Sequence, residues 1–218
     1  MFNNAGVMVF GEIEWQTSNL INKQISVNLC GTINVTKALL PLVRQHKARI
    51  INVTSHCGLR SLPGLPVYCA TKAGLKAFTD SLRLDMNKYE VEVINFVPGS
   101  FLNTSNLASR HSENAKEMRE SFNSEQLNFY GDYFDRYNNY LNGLSGEKNP
   151  QLVDKLILNA FDDALMDSPP KTIYISEPIR YKFYHVLFKV SPQKVTDWLL
   201  YKFVSMPQYD ASKSIVKS

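Results

Sequence analysis

The chain has 218 residues, enough for one ordinary domain. Its hydrophobic fraction of 44% and charged fraction of 20% suit a packed core and exclude wholesale disorder. A net charge of +4 is a mild excess that reads as a solvated surface rather than a nucleic-acid footprint, which needs clustering on one face.

Phe2 to Val7 reads as the stub of a buried strand. Thr17 to Arg44 carries Leu20, Ile21, Ile25, Leu29, Ile33, Leu39, Leu40 and Val43 at helical spacing, and Pro41 predicts a kink or an end nearby. Arg49 to Val53 is a short β-branched run, hence a buried strand, with Ser55 at its carboxyl end. Gly58 to Pro66 holds two prolines and two glycines and reads as a loop. Val67 to Lys88 is the next helix and Val91 to Val97 the next strand. Alternating helices and strands of this kind indicate a parallel sheet with crossover helices.

Gly99 to Gly146 is richer in Asn, Ser, Glu, Tyr and Phe, with a helix predicted over Asn114 to Asn128. Asn149 caps an amphipathic helix over Pro150 to Met166, and Lys171 to Ile175 is a last strand. The segment Ile179 to Phe203 interleaves Arg180, Lys182, Lys189, Lys194 and Lys202 with aromatic residues. It fits either an amphipathic surface that touches a bilayer or a helix pair packed on its own domain. No apolar run reaches the length that crosses a bilayer, and no signal peptide pattern is present. Cys30, Cys57 and Cys69 show neither metal spacing nor a disulfide framework, which points to a reducing compartment.

The chemistry concentrates in Tyr68-Cys69-Ala70-Thr71-Lys72, with Ser55 thirteen residues upstream. A phenol four residues before an ammonium lies on the same helix face, one turn away. A free phenol titrates near ~10, too high for a base at neutral pH, and a neighbouring cation favours its phenolate. A phenol tuned in this way exchanges a proton with an alcohol or ketone. The Ser55 hydroxyl is placed to hold the substrate oxygen.

Ser55 and Tyr68-x-x-x-Lys72, with the runs Asn3-Asn4-Ala5-Gly6, Val27-Asn28-Leu29-Cys30-Gly31-Thr32 and Pro98-Gly99, resemble the short-chain dehydrogenase/reductase family. Ser81-Leu82-Arg83-Leu84-Asp85-Met86 and Pro169-Pro170-Lys171-Thr172-Ile173-Tyr174 resemble its retinol, 17β-hydroxysteroid and D-β-hydroxybutyrate dehydrogenase branch. The resemblance implies Tyr68 as general acid/base, Ser55 as the group that polarises the carbonyl, and Lys72 as tuner of Tyr68 and holder of the nicotinamide ribose. It implies Asn28 as support for a water that extends the proton path. Asn4, Ala5, Gly6, Pro98, Gly99 and Thr104 would contact the cofactor, NAD or NADP; Thr104 comes one residue later than the family spacing.

The family's Gly-x-x-x-Gly-x-Gly turn, which holds the dinucleotide at a helix N-terminus, does not occur in the sequence. The Asn-Asn-Ala-Gly run ends the family's fourth strand, yet here it begins at residue 3. The expectation is therefore an α/β, Rossmann-like, doubly wound parallel sheet lacking its first three strands. Residues 1–178 would form this partial domain, with a helical substrate-binding insertion over 99–146 and an aromatic, basic helical tail over 179–218. The implied function is NAD(P)-dependent interconversion of an alcohol and its carbonyl, on a retinoid, a steroid or 3-hydroxybutyrate, by a homo-oligomer associated with mitochondria or endoplasmic reticulum. The alternative is an inactive truncated form that acts only as an oligomer partner.

Overall fold

Three apolar runs and the Phe2–Asn3 stub pair side by side in one four-stranded parallel sheet. The computed structural model describes residues 1–99, 107, 109–144, 155–177, 187–188, 190–204 and 206–210. Strands β1 (Phe2–Asn3), β2 (Ile50–Val53), β3 (Val93–Val97) and β4 (Ile173–Ile175) lie in chain order across the sheet. Eight α-helices are described: α1 (Ser18–Ile25), α2 (Thr32–Gln45), α3 (His56–Leu59), α4 (Pro66–Asn87), α5 (His111–Ser121), α6 (Ser124–Leu144), α7 (Lys155–Met166) and α8 (Gln193–Val204).

Strand alternation sends neighbouring side chains to opposite faces. Ile50 and Val93 pack with Val43 of α2 and Leu82 and Met86 of α4. Ile51, Ile94 and Phe96 pack on the other face against Ala164 of α7 and Tyr174. Both faces are thus covered, as an all-parallel sheet requires. A third apolar cluster joins Trp15, Leu20, Cys57, Tyr68 and Cys69 to Met118 of α5 and Phe134 and Tyr137 of α6.

A row of asparagines fixes the register. Asn3 pairs with Asn52, and Asn52 with Asn95. Asn3 Nδ2 donates to Asn52 Oδ1 (2.7 Å), Asn52 Nδ2 to Thr79 Oγ1 (2.9 Å) and Asn95 Nδ2 to Asp80 Oδ1 (2.9 Å). A buried amide costs free energy unless bonded, so a slip by one residue would strand these groups among apolar neighbours.

Several elements differ from expectation. Pro41 does not end its helix; α2 runs through it to Gln45. Pro41 and Lys37 are on the exposed side, where the carbonyl freed by the proline is open to water. The distortion lies instead at Ser26–Gly31, where the helix widens to π geometry between α1 and α2. A Cβ at Gly31 would stand 3.2 Å from Ser26 O, so glycine suits the widened turn. The continuous helix from Ser18 to Gln45 has 28 residues and, by length and composition, is long and apolar enough to cross a bilayer, contrary to expectation. Residues 58 and 59, expected in a loop, close the short α3. The helix expected over 114–128 is two helices that break at Phe122 and Asn123, and the Tyr/Asn run belongs to α6. The expected cap at Asn149 and the start at Pro150 lie outside the described residues.

Candidate active site

The carboxyl ends of β1, β2 and β3 lead into Asn4-Ala5-Gly6, Thr54-Ser55 and Pro98-Gly99, all at one edge of the sheet. Open α/β sheets place ligands along this edge. Asn4 and Ala5 are exposed there, Gly6 and Gly99 half-buried and Pro98 buried. Thr104 lies outside the described residues.

Ser55 caps α3, its Oγ accepting from Cys57 N (3.1 Å). α3 sits directly on α4 because Gly58 has no side chain: a Cβ there would stand 2.6 Å from Lys72 O. The contact brings the Ser55 hydroxyl close to the Tyr68 phenol. Tyr68 is only 4% exposed. Burial is the main cause that raises its phenol, the nearby Cys57 adds to this, and the Ser55 hydroxyl opposes it. The resting group therefore holds its proton, rather than being drawn down to a phenolate as the sequence led us to expect.

Lys72 lies one turn along the same face of α4, its Nζ 5.9 Å from the Tyr68 ring centre. Burial lowers this ammonium from 10.5 to about 8. Its Nζ donates to Val53 O (2.9 Å) at the end of β2. A Cβ at Gly6 would stand 3.6 Å from both Lys72 Nζ and Asn28 Oδ1, so Gly6 borders the pair.

Asn28 is fully buried in the π turn. Its Oδ1 accepts from Val7 N (2.8 Å), and its Nδ2 donates to Val7 O (2.8 Å) and Thr71 Oγ1 (3.1 Å). Both amide protons are committed, so Asn28 can serve a proton path only through oxygen. Thr71, which sequence reasoning did not single out, in turn donates to Tyr68 O (2.8 Å). Its signal was its place three residues after Tyr68. A small open cleft borders Gly6 to Val9, Lys23, Arg110 and Asn114. Neither Ser55 nor Tyr68 lines it, so it is separate from the Ser55–Tyr68 pair.

A parallel sheet wound on both faces, with serine, tyrosine and lysine converging at its carboxyl edge, defines a Rossmann-like α/β protein. Residues 1–115 match the short chain dehydrogenase family, and the chain belongs to that family. It is 34% identical to mouse (Mus musculus) mitochondrial D-beta-hydroxybutyrate dehydrogenase over 80% of this chain and 51% of that protein. It is 32% identical to rat (Rattus norvegicus) retinol dehydrogenase 7 over 92% of this chain and 63% of that protein. Human (Homo sapiens) short-chain dehydrogenase/reductase family 9C member 7 is 31% identical over 95% of this chain and 66% of that protein. The chain spans about half the length of the first of these relatives.

Proposed function

We propose that this chain carries the proton-transfer half of an NAD(P)-dependent oxidoreductase that interconverts an alcohol and its carbonyl. The observation that carries the reading is the Ser55 hydroxyl close to the Tyr68 phenol, with Lys72 one turn away and all three at the carboxyl edge of the sheet.

The residues present fit the nicotinamide end of a dinucleotide. Lys72 Nζ has spent one proton on Val53 O and borders Gly6, which leaves two donors for ribose hydroxyls. Gly6, Pro98 and Gly99 offer backbone without bulky side chains at the same edge. When bound, the nicotinamide supplies or accepts the hydride. Ser55 holds the substrate oxygen. Tyr68, kept protonated by burial, gives its proton to that oxygen as a carbonyl is reduced, and takes it back in the reverse direction. Lys72 stabilises the phenolate left behind.

α5 and α6 cover the site from outside through the aromatic cluster around Trp15, which supports the reading of residues 99–146 as a substrate-covering insertion. The names of the relatives put a retinoid and 3-hydroxybutyrate first among substrates, with a steroid third from the sequence resemblance. The name of the first of these relatives supports a mitochondrial location, and a reticulum location rests on the sequence resemblance. Exposed Val195, Trp198 and Tyr201 on α8 support a membrane-surface contact, although Tyr140 Oη donating to Val204 O (2.6 Å) and Arg60 Nη2 to Phe188 O (2.8 Å) anchor this region to the domain.

The test is reduction of retinal, a steroid ketone and acetoacetate at millimolar NADH or NADPH by this chain and by Tyr68→Phe. We expect slow turnover of one carbonyl class by the chain and a rate lower by about 10²–10⁴ in the variant. Equal rates in the two proteins would remove Tyr68 as the acid. No turnover by a folded chain would favour the second reading, an inactive oligomer partner, which the missing glycine-rich turn supports.

A further inference from the structure

The seam between α1 and α5 changes character along its length. At one end Glu117 of α5 accepts from Thr17 Oγ1 (2.5 Å), the cap of α1, and from Asn19 Nδ2 (3.2 Å). Lys23 follows Asn19 by four residues and so lies on the same face of α1. Asn114 precedes Glu117 by three and shares its face of α5, with Arg110 at the start of that helix. Lys23, Arg110 and Asn114 line the small open cleft together with Gly6 to Val9. No acid neutralises this turn of the seam as Glu117 completes the other. Among the described residues Lys23 has no ion-pair or hydrogen-bond partner. Arg110 gives only its Nε to Glu113 (3.0 Å), which leaves both Nη groups.

Three further donors belong to the same cleft. Asn114 is only 9% exposed, yet its side-chain amide has no hydrogen-bond partner among the described residues. A buried amide costs free energy unless it is bonded, and this one lines the cleft with two N–H donors. Val7 N donates to Asn28 Oδ1 (2.8 Å) and Val9 N to Gln24 Oε1 (3.3 Å), whereas the Met8 N–H between them has no partner among the described residues. No side chain caps α5, so its first N–H groups and the positive end of its dipole are also open here. An ammonium, a guanidinium, an amide and an uncapped helix start form a donor set that suits an anion with several oxygens.

We propose that this cleft is a binding site for a compact oxyanion, a carboxylate or a phosphate. Lys23 and Arg110 supply charge from the two sides of the seam, and Asn114 supplies the buried donors between them. Gly6 borders both this cleft and Lys72 Nζ. The oxyanion therefore has two sources: a free ion, or the carboxylate end of a hydroxy acid whose other end reaches toward Lys72. The second source rests on the proposed function; the site itself does not.

The experiment follows amide proton–nitrogen spectra of the full chain, at constant ionic strength, during titration with inorganic phosphate, acetate or 3-hydroxybutyrate. We expect saturable shifts in residues 6–9, 23 and 110–114. Affinity should fall about tenfold or more in Lys23→Met and in Arg110→Met, each of which removes charged donors. Asn114→Leu, which keeps the volume and removes the amide, should weaken binding in the same way. Lys116→Met should change nothing, since it removes an exposed cation from another face of α5. Tighter binding of 3-hydroxybutyrate than of acetate would support the site with a substrate carboxylate as its source. Phosphate bound at least as tightly as either acid would support it with a free ion. The proposal is overturned if none of the three saturates, if both Lys23→Met and Arg110→Met bind as the parent does, or if Lys116→Met loses as much as they do. The titration reads the same whether or not the chain turns over a carbonyl, so failure of the proposed function and failure of this site are separable.

Discussion

Lys72 is the residue whose charge the fold most resists. It is 3% exposed, and burial lowers its ammonium from 10.5 to about 8. Between those two values the unfolded chain binds the proton and the folded chain does not, so stability rises with pH there. The full rise approaches about 3 kcal/mol. Tyr68 has the opposite sign: burial raises it above its ordinary 10.0, so above that pH the folded state keeps a proton that the unfolded state loses, and stability falls. We therefore expect urea midpoints to climb from pH 8 to pH 10 relative to Lys72→Met, and the difference between the two proteins to be flat below pH 7. A parallel pH profile in both would show that Lys72 is charged as readily as in water. At this scale the sequence disclosed what helix geometry dictates. Tyr68 and Lys72 share a face because they are four apart, and Ser55 ends a β-branched run. It did not disclose that Lys72 spends a proton on Val53 O, because that depends on how closely α4 seats on the end of β2.

Arg49 ties two elements together across the sheet. Its guanidinium donates to Ala164 O (2.8 Å), Leu165 O (2.6 Å) and Asp167 O (2.8 Å) at the end of α7. The last carbonyls of a helix lack partners within it and carry partial negative charge, so a cation with a fork of donors fits there. Tyr174 Oη donates to Asp167 Oδ2 (2.8 Å) and reinforces the same corner. Arg49→Met keeps much of the stem and removes the donors. The expected loss is about 1–3 kcal/mol, with faster hydrogen exchange over residues 163–175 and little change in β3. Uniform exchange across the sheet would mean that Arg49 acts on global stability alone. The elements on either side of this contact were legible from apolar periodicity, the contact itself was not. Helix breaks were the least legible: Pro41 is tolerated because its side of α2 faces solvent, whereas the true distortion at Ser26–Gly31 depends on the π turn that carries Asn28. α6 was hidden by its Tyr- and Asn-rich composition, which local propensity reads poorly and aromatic packing on Trp15 overrides.

The whole molecule leaves apolar surface exposed on its long helix. Val35, Leu39 and Leu42 form an i, i+4, i+7 stripe on α2, each at least 39% exposed. This supports the homo-oligomer implied by the family. Sedimentation velocity should show a dimer or larger at micromolar concentration and a smaller species for Leu39→Glu; monomers in both would remove the stripe as an interface. The cofactor poses the sharper question. In the proposed reading the carboxyl edge offers Lys72, Gly6, Pro98 and Gly99 to the nicotinamide end of a dinucleotide, but the sequence contains no Gly-x-x-x-Gly-x-Gly turn. That turn is where backbone N–H groups and the helix dipole meet the pyrophosphate. Its contribution is electrostatic and pre-organised, so the ribose and nicotinamide contacts cannot replace it. Without it, affinity should fall to a dissociation constant of about 1 mM or weaker, only some 4 kcal/mol of binding. Fluorescence titration of the chain with NADH and NADPH measures this directly. A constant in the low micromolar range, retained in Tyr68→Phe, would mean that other residues of this chain hold the pyrophosphate. Saturation only at millimolar nucleotide would mean that the chain holds the nucleotide without a phosphate grip.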